Sequence, residues 1–102
     1  MFTKLDKGEA LNLTRRYKEA ILPSFSNAKV YLFGSYAKDC ARPESDIDVA
    51  VIVPKLEGDW LKLSSLLWRK TLDVDTTIEP VLIEEGHYSP LYEDIIRTGI
   101  VV

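Results

Sequence analysis

Cysteine and histidine are almost missing from this chain. Its 102 residues contain one of each, Cys40 and His87. A lone cysteine excludes an internal disulfide, and a lone histidine excludes a zinc centre built from Cys and His. No apolar run exceeds Val49–Val53, far short of the ~20 residues a membrane helix needs. The opening MFTKLDKGEA lacks the apolar core of a signal peptide. A basic excess is missing too: 13 Lys and Arg face 16 Asp and Glu, for a net charge of −3. Nucleic-acid binding through bulk charge is therefore not expected. Taken together, these scarcities describe a soluble cytoplasmic protein with no membrane segment.

What is present suits one globular domain spanning residues 1–102. Hydrophobic residues make up 46% and charged residues 28%, so a core and a solvated surface are both within reach. A chain of this size buries roughly 65% of its unfolded surface on folding. Repeats, linkers and low-complexity stretches are not seen.

The pattern predicts the order α-β-β-α-β-α. Ala10, Leu13, Tyr17 and Ile21 make an apolar stripe at helical spacing. That helix runs from Lys7 to about Leu22, capped by Asp6 and stopped by Pro23, with Lys4, Arg15, Arg16, Lys18 and Glu19 on its solvated side. Ala28–Phe33 reads as a buried strand, and Asp46–Val53 as a second strand, central and covered on both faces. Ser35–Lys38 is expected to make a short helical turn, and Cys40–Ser45 a loop. Asp59 caps a helix reaching about Leu72, whose tryptophans, Trp60 and Trp68, are assigned to core packing. Asp75–Ile83 is the third strand; Pro80 argues against a tight central ladder there. Ser89-Pro90 opens the last helix, Gly99 closes it, and Ile100–Val102 is a short strand or a frayed end. The expected fold class is α+β, a two-layer arrangement of a small mixed sheet with helices packed on it.

The chemistry concentrates in Tyr31–Val53, YLFGSYAKDCARPESDIDVAVIV. Asp46 and Asp48 are two apart on one strand, so their side chains share a face with Cα atoms roughly 6.5–7 Å apart. Such a pair can converge on one hard cation or on two, and magnesium needs few protein carboxylates because it keeps several waters. A third acid from a neighbouring strand would complete the site. Glu79, embedded in TTIEPVLI, is the first candidate and Asp75 the second. Gly34 allows close backbone approach to an anion, and Ser35 offers a hydroxyl and the first N–H of a helical turn. Lys38 and Arg42 lie between the two halves and can meet the outer phosphates of a nucleoside triphosphate. Taken singly, each of these features has a plainer reading: Gly-Ser as a turn, Asp-x-Asp as loop or cap, Lys38 and Arg42 as partners of Asp39 and Glu44. Cys40 reads as an inert thiol and His87 as a loop residue. The combination is what points to a site.

That combination, LFGS, ten residues, then DIDV, resembles the DNA polymerase beta-like nucleotidyltransferase superfamily, and most of all its minimal prokaryotic members. GSYAKDCARPESDIDV is similar to the family's Gly-Ser-aromatic-Ala-Arg-Gly…Pro-x-Ser-Asp-Ile-Asp. IEPVLIEE and the helix ending in RTGI resemble its third-acid strand and last helix. The resemblance, which covers Val30 to the C-terminus, implies triphosphate held at Gly34 and Ser35, and two magnesium ions at Asp46 and Asp48. It makes Glu79 the third acid, binding one metal and helping to activate the attacking hydroxyl. It implies transfer of a nucleoside monophosphate, AMP from ATP, to a hydroxyl with release of pyrophosphate. It also implies a small helical HEPN-type protein as partner and acceptor in a toxin–antitoxin pair, or else an antitoxin that neutralises that partner by binding alone. Two features depart from the family: Lys38-Asp39 stands where Arg-Gly is usual, and the third acid, Glu79, is a glutamate, one methylene longer than the usual aspartate. Lysine keeps the charge without the guanidinium fork, and aspartate replaces glycine's backbone freedom. Exposed strand edges also leave room for homo- or hetero-oligomers.

Overall fold

A computed structural model describes residues 5–102. Lys4, assigned above to the solvated side of the first helix, lies outside them. The elements are α1 (Lys7–Ile21), β1 (Lys29–Phe33), β2 (Ile47–Val53), α2 (Trp60–Lys70), β3 (Ile78–Glu84), α3 (Pro90–Thr98) and β4 (Ile100–Val101). A single 3-10 turn, Thr71–Asp73, follows α2.

Local chemistry sets the ends of these elements. Asp6 accepts from the Glu9 N–H at 2.7 Å while Glu9 reaches back to the Asp6 N–H, a reciprocal cap on α1. Asp59 accepts from Leu61 N–H to open α2, and Ser89 accepts from Tyr92 N–H to open α3, with Pro90 in its first turn. Gly99 ends α3 in extended backbone. A Cβ there would run into the Ile95 carbonyl and crowd that of Leu32, so glycine serves close approach to β1 rather than a left-handed cap.

The sheet order is β3-β2-β1-β4. β1 pairs antiparallel with β2 and β4, and β2 pairs parallel with β3. This is the expected mixed sheet, and the C-terminal residues are a strand rather than a frayed end. Pro80, which cannot donate to a ladder, lies on an edge strand, where it is tolerated. β3 begins at Ile78 rather than Asp75, because Asp75 accepts from both the Thr77 N–H and its hydroxyl and holds the preceding turn.

Every residue of β2 except Asp48 is buried. Its odd-numbered side chains, Ile47, Val49, Val51 and Val53, join Val30, Leu32, Ile78 and Leu82 under α1 and α2. Ala50 and Ile52 face the other way, with Tyr31, Phe33, Val81 and Ile83, under Ile95 and Tyr92 of α3. α1 and α2 thus take one face of the sheet and α3 the other. The two first-face helices are joined inside the core: Tyr17 Oη donates to the Leu67 carbonyl at 2.6 Å, and burial raises the phenol far above its ordinary pKa.

One sequence expectation fails here. Leu67 is the buried residue of α2, whereas Trp60 and Trp68 are both half exposed. Core packing therefore accounts for only part of either indole. Tyr17→Phe should lower stability by ~1–2 kcal/mol, the cost of leaving the buried Leu67 carbonyl unpaired; a urea titration would read this as a lower midpoint at unchanged slope.

Candidate functional site

The acids meet at one end of the sheet. Because β2 and β3 are parallel and in register, Asp48 lies directly beside Glu79, on the face that also carries α3. Asp46 sits just before β2, where Ile47 N–H donates to the Thr77 carbonyl and holds the strand entries together. On the other side of β2, Asp48 faces Phe33, the last residue of β1. Gly34 follows, with φ of +75°. Its missing Cβ is what admits Asp48: a methyl group there would occupy the place of Asp48 Oδ2. A positive φ and a carboxylate in the side-chain position both require glycine at 34.

The electrostatics follow from this crowding. Asp48 is pushed up to about 6, first by burial and then by repulsion from Glu79 and Asp46. Glu79, at the exposed rim, also moves upward, through loss of hydration and through the Asp46 carboxyl, which both hydrogen-bonds and repels it. Among the described residues no cation pairs with Asp46, Asp48 or Glu79. Nor do three such side chains already close round a point as metal ligands there. The donor set is nonetheless that of a hard cation: carboxylates only, half solvated, mutually repelling and lacking a counter-charge. These residues fit magnesium.

The Gly34–Cys40 segment forms the adjoining wall. Lys38 N–H donates to the Gly34 carbonyl at 3.1 Å and Cys40 N–H to the Ser35 carbonyl at 2.9 Å. This is the expected helical turn, although it does not extend into a helix. Tyr36 and Ala37 are buried in the main core and anchor it. The Ser35, Tyr36 and Ala37 N–H groups find no partner among the described residues, so the turn retains donors for an anion.

The remaining expected residues behave differently from one another. Lys38 Nζ is 3.0 Å from Asp94 Oδ2 on α3, so it pairs with Asp94 rather than with Asp39. Nothing in the sequence announces that partner, 56 positions away. Asp39 adopts φ of +58°, the conformation for which the family's glycine would be suited, and its carboxylate lies 3.2 Å from Lys7 Nζ. Arg42 is exposed, with its backbone N–H bonded to Ser45 Oγ at 2.8 Å. Asp75 is committed to its own turn, which leaves Glu79 as the acid beside Asp48. A cavity of about 300 Å³ exists elsewhere, at the far end of β2 among Phe25, Val53 and Leu63. It holds none of these acids.

Comparison with known proteins points the same way. The family model described as a nucleotidyltransferase domain matches residues 14–96. No curated protein matches the chain significantly. Among solved structures, the chain is similar to a candidate nucleotidyltransferase from Sulfolobus solfataricus, with 21% identity, 99% of this chain and 89% of that one covered, and a TM-score of 0.68. It is also similar to a chain of the toxin–antitoxin complex MntA–HepT (19% identity, 89% and 69% covered, TM-score 0.54). A toxin–antitoxin crystallised with AMP-PNP gives 22% identity, 95% and 72% coverage and a TM-score of 0.54. At these identities the structural likeness speaks for the fold.

Two outcomes are expected from the acid cluster. The raised Asp48 pKa means that the folded protein holds this proton more tightly than the unfolded chain does. Stability should therefore fall as pH rises from about 4 to about 6 without divalent ions. Asp48→Asn should flatten that slope and raise stability at pH 7 by about 1–2 kcal/mol, and thermal melts across pH would show both. Magnesium should raise the melting temperature of the native protein and leave that of Asp48→Asn nearly unmoved. Gly34→Ala should instead destabilise, by about 2 kcal/mol or more, because strain at positive φ adds to displacement of Asp48.

Proposed function

Because this chain belongs to the nucleotidyltransferase-domain family, we propose that it transfers AMP from ATP, with magnesium, to a hydroxyl on a partner protein. The partner is a small helical HEPN-type protein, and the pair works in the cytoplasm as toxin and antitoxin, with this chain the antitoxin. The observation that carries the chemical part is Asp48 beside Glu79 in register, with Asp46 adjoining, next to a glycine turn with unspent N–H groups. The biological part is supported by the fold shared with toxin–antitoxin chains, one of them crystallised with AMP-PNP.

In this reading each residue has a defined task. Gly34 brings the backbone against the triphosphate tail, and the amides after it, with the Ser35 hydroxyl, donate to phosphate oxygens. Lys38 and Arg42 supply positive charge to the outer phosphates. Asp46, Asp48 and Glu79 would hold the magnesium ions, which when bound supply charge neutralisation at the entering and leaving oxygens. Glu79 faces the acceptor hydroxyl and takes its proton. The acceptor oxygen bonds to the α-phosphorus as the bond to the β-phosphate oxygen breaks in line, and pyrophosphate departs.

A second reading, an antitoxin that neutralises its partner by binding alone, draws on two observations. Lys38 is engaged by Asp94, and Asp39 stands in the left-handed position usual for glycine, so the phosphate wall departs from the family pattern. Labelled ATP distinguishes the two. With magnesium and a HEPN-type partner, ATP labelled at the α-phosphate should mark the partner. Asp46→Ala with Asp48→Ala should reduce that by about 10³-fold or more, with circular dichroism unchanged. Complex formation without label would favour the binding subunit, and undiminished label in the double variant would remove these acids from the site.

A further inference from the structure

α2 has more apolar surface than the fold uses. Leu67 is buried and Leu63 and Leu66 pack beside it. Starting beside Leu67 and turning outward, Trp60, Trp68 and Leu61 fall within an arc of roughly 100° on a helical projection, and Leu72 of the 3-10 turn continues it. Their exposures are 48%, 48%, 67% and 73%. Scattered exposed leucines need no explanation, but a contiguous stripe with two indoles does. Ser64 falls between the two tryptophans in the same projection. Its hydroxyl is sheltered from solvent, so the helix turns inward between the indoles and their exposed parts lie along its flank.

The rim of the stripe is charged with one sign. α2 carries Lys62, Arg69 and Lys70 and no acid, in a chain of net charge −3. Lys70 is within 3.9 Å of Asp73. Lys62 and Arg69, seven residues apart and so on one edge, have no ion-pair partner among the described residues. Asp59 lies at the helix start and caps it. A second copy would bring the same cations to the seam, with no acid from its own α2 to meet them. An apolar ridge with an acidic margin would satisfy both the stripe and the edge.

We propose that the exposed flank of α2 docks an amphipathic helix of another protein, apolar along its contact ridge and acidic along the edge that meets Lys62 and Arg69. Tryptophan is enriched at such contacts because it buries a large area at low entropic cost. The proposal rests on the reading that this chain works with a partner protein, but it does not require transfer of AMP.

Trp60 and Trp68 are the chain's only tryptophans, so emission excited selectively in tryptophan, beyond the tyrosine absorption band, reports on this face. The probe is a stapled helix of about four turns with leucines at i, i+3, i+4 and i+7, glutamates elsewhere and no hydroxyl-bearing residue. A second peptide has lysines in place of the glutamates. The glutamate peptide should shift emission to the blue, shield it from acrylamide and bind at least about tenfold more tightly than the lysine peptide, less so at high salt. Lys62→Glu with Arg69→Glu should reverse the preference, and Leu61→Asp with Leu72→Asp should abolish the shift. Equal response to both peptides, or none, overturns the proposal. So does shielding that grows with protein concentration and tracks dimer in sedimentation, which would assign the face to a second copy. So does shielding only by phosphatidylcholine–phosphatidylserine vesicles, which would assign it to a membrane. Because the peptides have no acceptor hydroxyl, success or failure here is separate from that of the labelling experiment.

Discussion

The burial of β2 on both faces constrains everything around it. β1 and β3 cover its two edges, and two hydrophobic clusters cover its two sides. A carboxylate cannot sit in the middle of such a strand without an unpaired buried charge. Its acids must therefore stand where the strand enters the core, and there they are. Asp48 is the limiting case, close enough to the core that burial is the largest cause of its raised pKa, yet half open to the rim. The strand tolerates this because its other six residues are locked on both sides. Local strain at a site is maintained by order elsewhere.

The same constraint shapes the Gly34–Cys40 turn. Phe33 must pair opposite Asp48, so the chain leaves β1 right beside the acids. Gly34 makes that passage sterically possible. Tyr36 and Ala37 then return the chain to the core beneath α1. Two ion pairs extend from the turn in different directions, Lys7–Asp39 to α1 and Lys38–Asp94 to α3. Each is partly exposed and contributes little alone. Together they link the Gly34–Cys40 turn to helices on opposite faces of the sheet, so its position depends on both layers.

Much of this was legible in the chain. The caps at Asp6, Asp59 and Ser89 follow from short-range chemistry that needs no tertiary context, whereas Gly99, read correctly as a stop, owes its glycine partly to the approach of β1. The central position of β2 was visible because apolar residues fill both of its faces beyond Asp48. Glu79 stood out as an acid in an apolar strand, but the choice between it and Asp75 needed the parallel register and the Asp75 turn, which are tertiary facts. The Lys38–Asp94 pair was invisible for the same reason. The tryptophans were misjudged because periodicity shows which residues share a helix face, not whether a second layer covers it. With α1 packed on one flank of α2 and nothing described on the other, half of each indole remains in water.

The two surfaces of interest are related through β3. The acids lie on the α3 face and the α2 stripe on a flank of the opposite layer, so a helix seated on α2 would not obstruct the acids. It would also be separated from them by at least the roughly 10 Å between packed layers. The shortest route between them crosses the free edge of β3, the strand that carries Glu79. Trp60 already marks that edge, its indole N–H directed at the Leu82 carbonyl at 3.4 Å. A partner anchored on the stripe could therefore reach the acids only with a segment extending around β3, and the acceptor hydroxyl would have to be on that segment rather than on the docked helix. Such a partner would have its affinity set by α2 and its acceptor chosen by the length and chemistry of the extension. It is the arrangement expected where an acceptor must be delivered to an open rim rather than into an enclosed pocket.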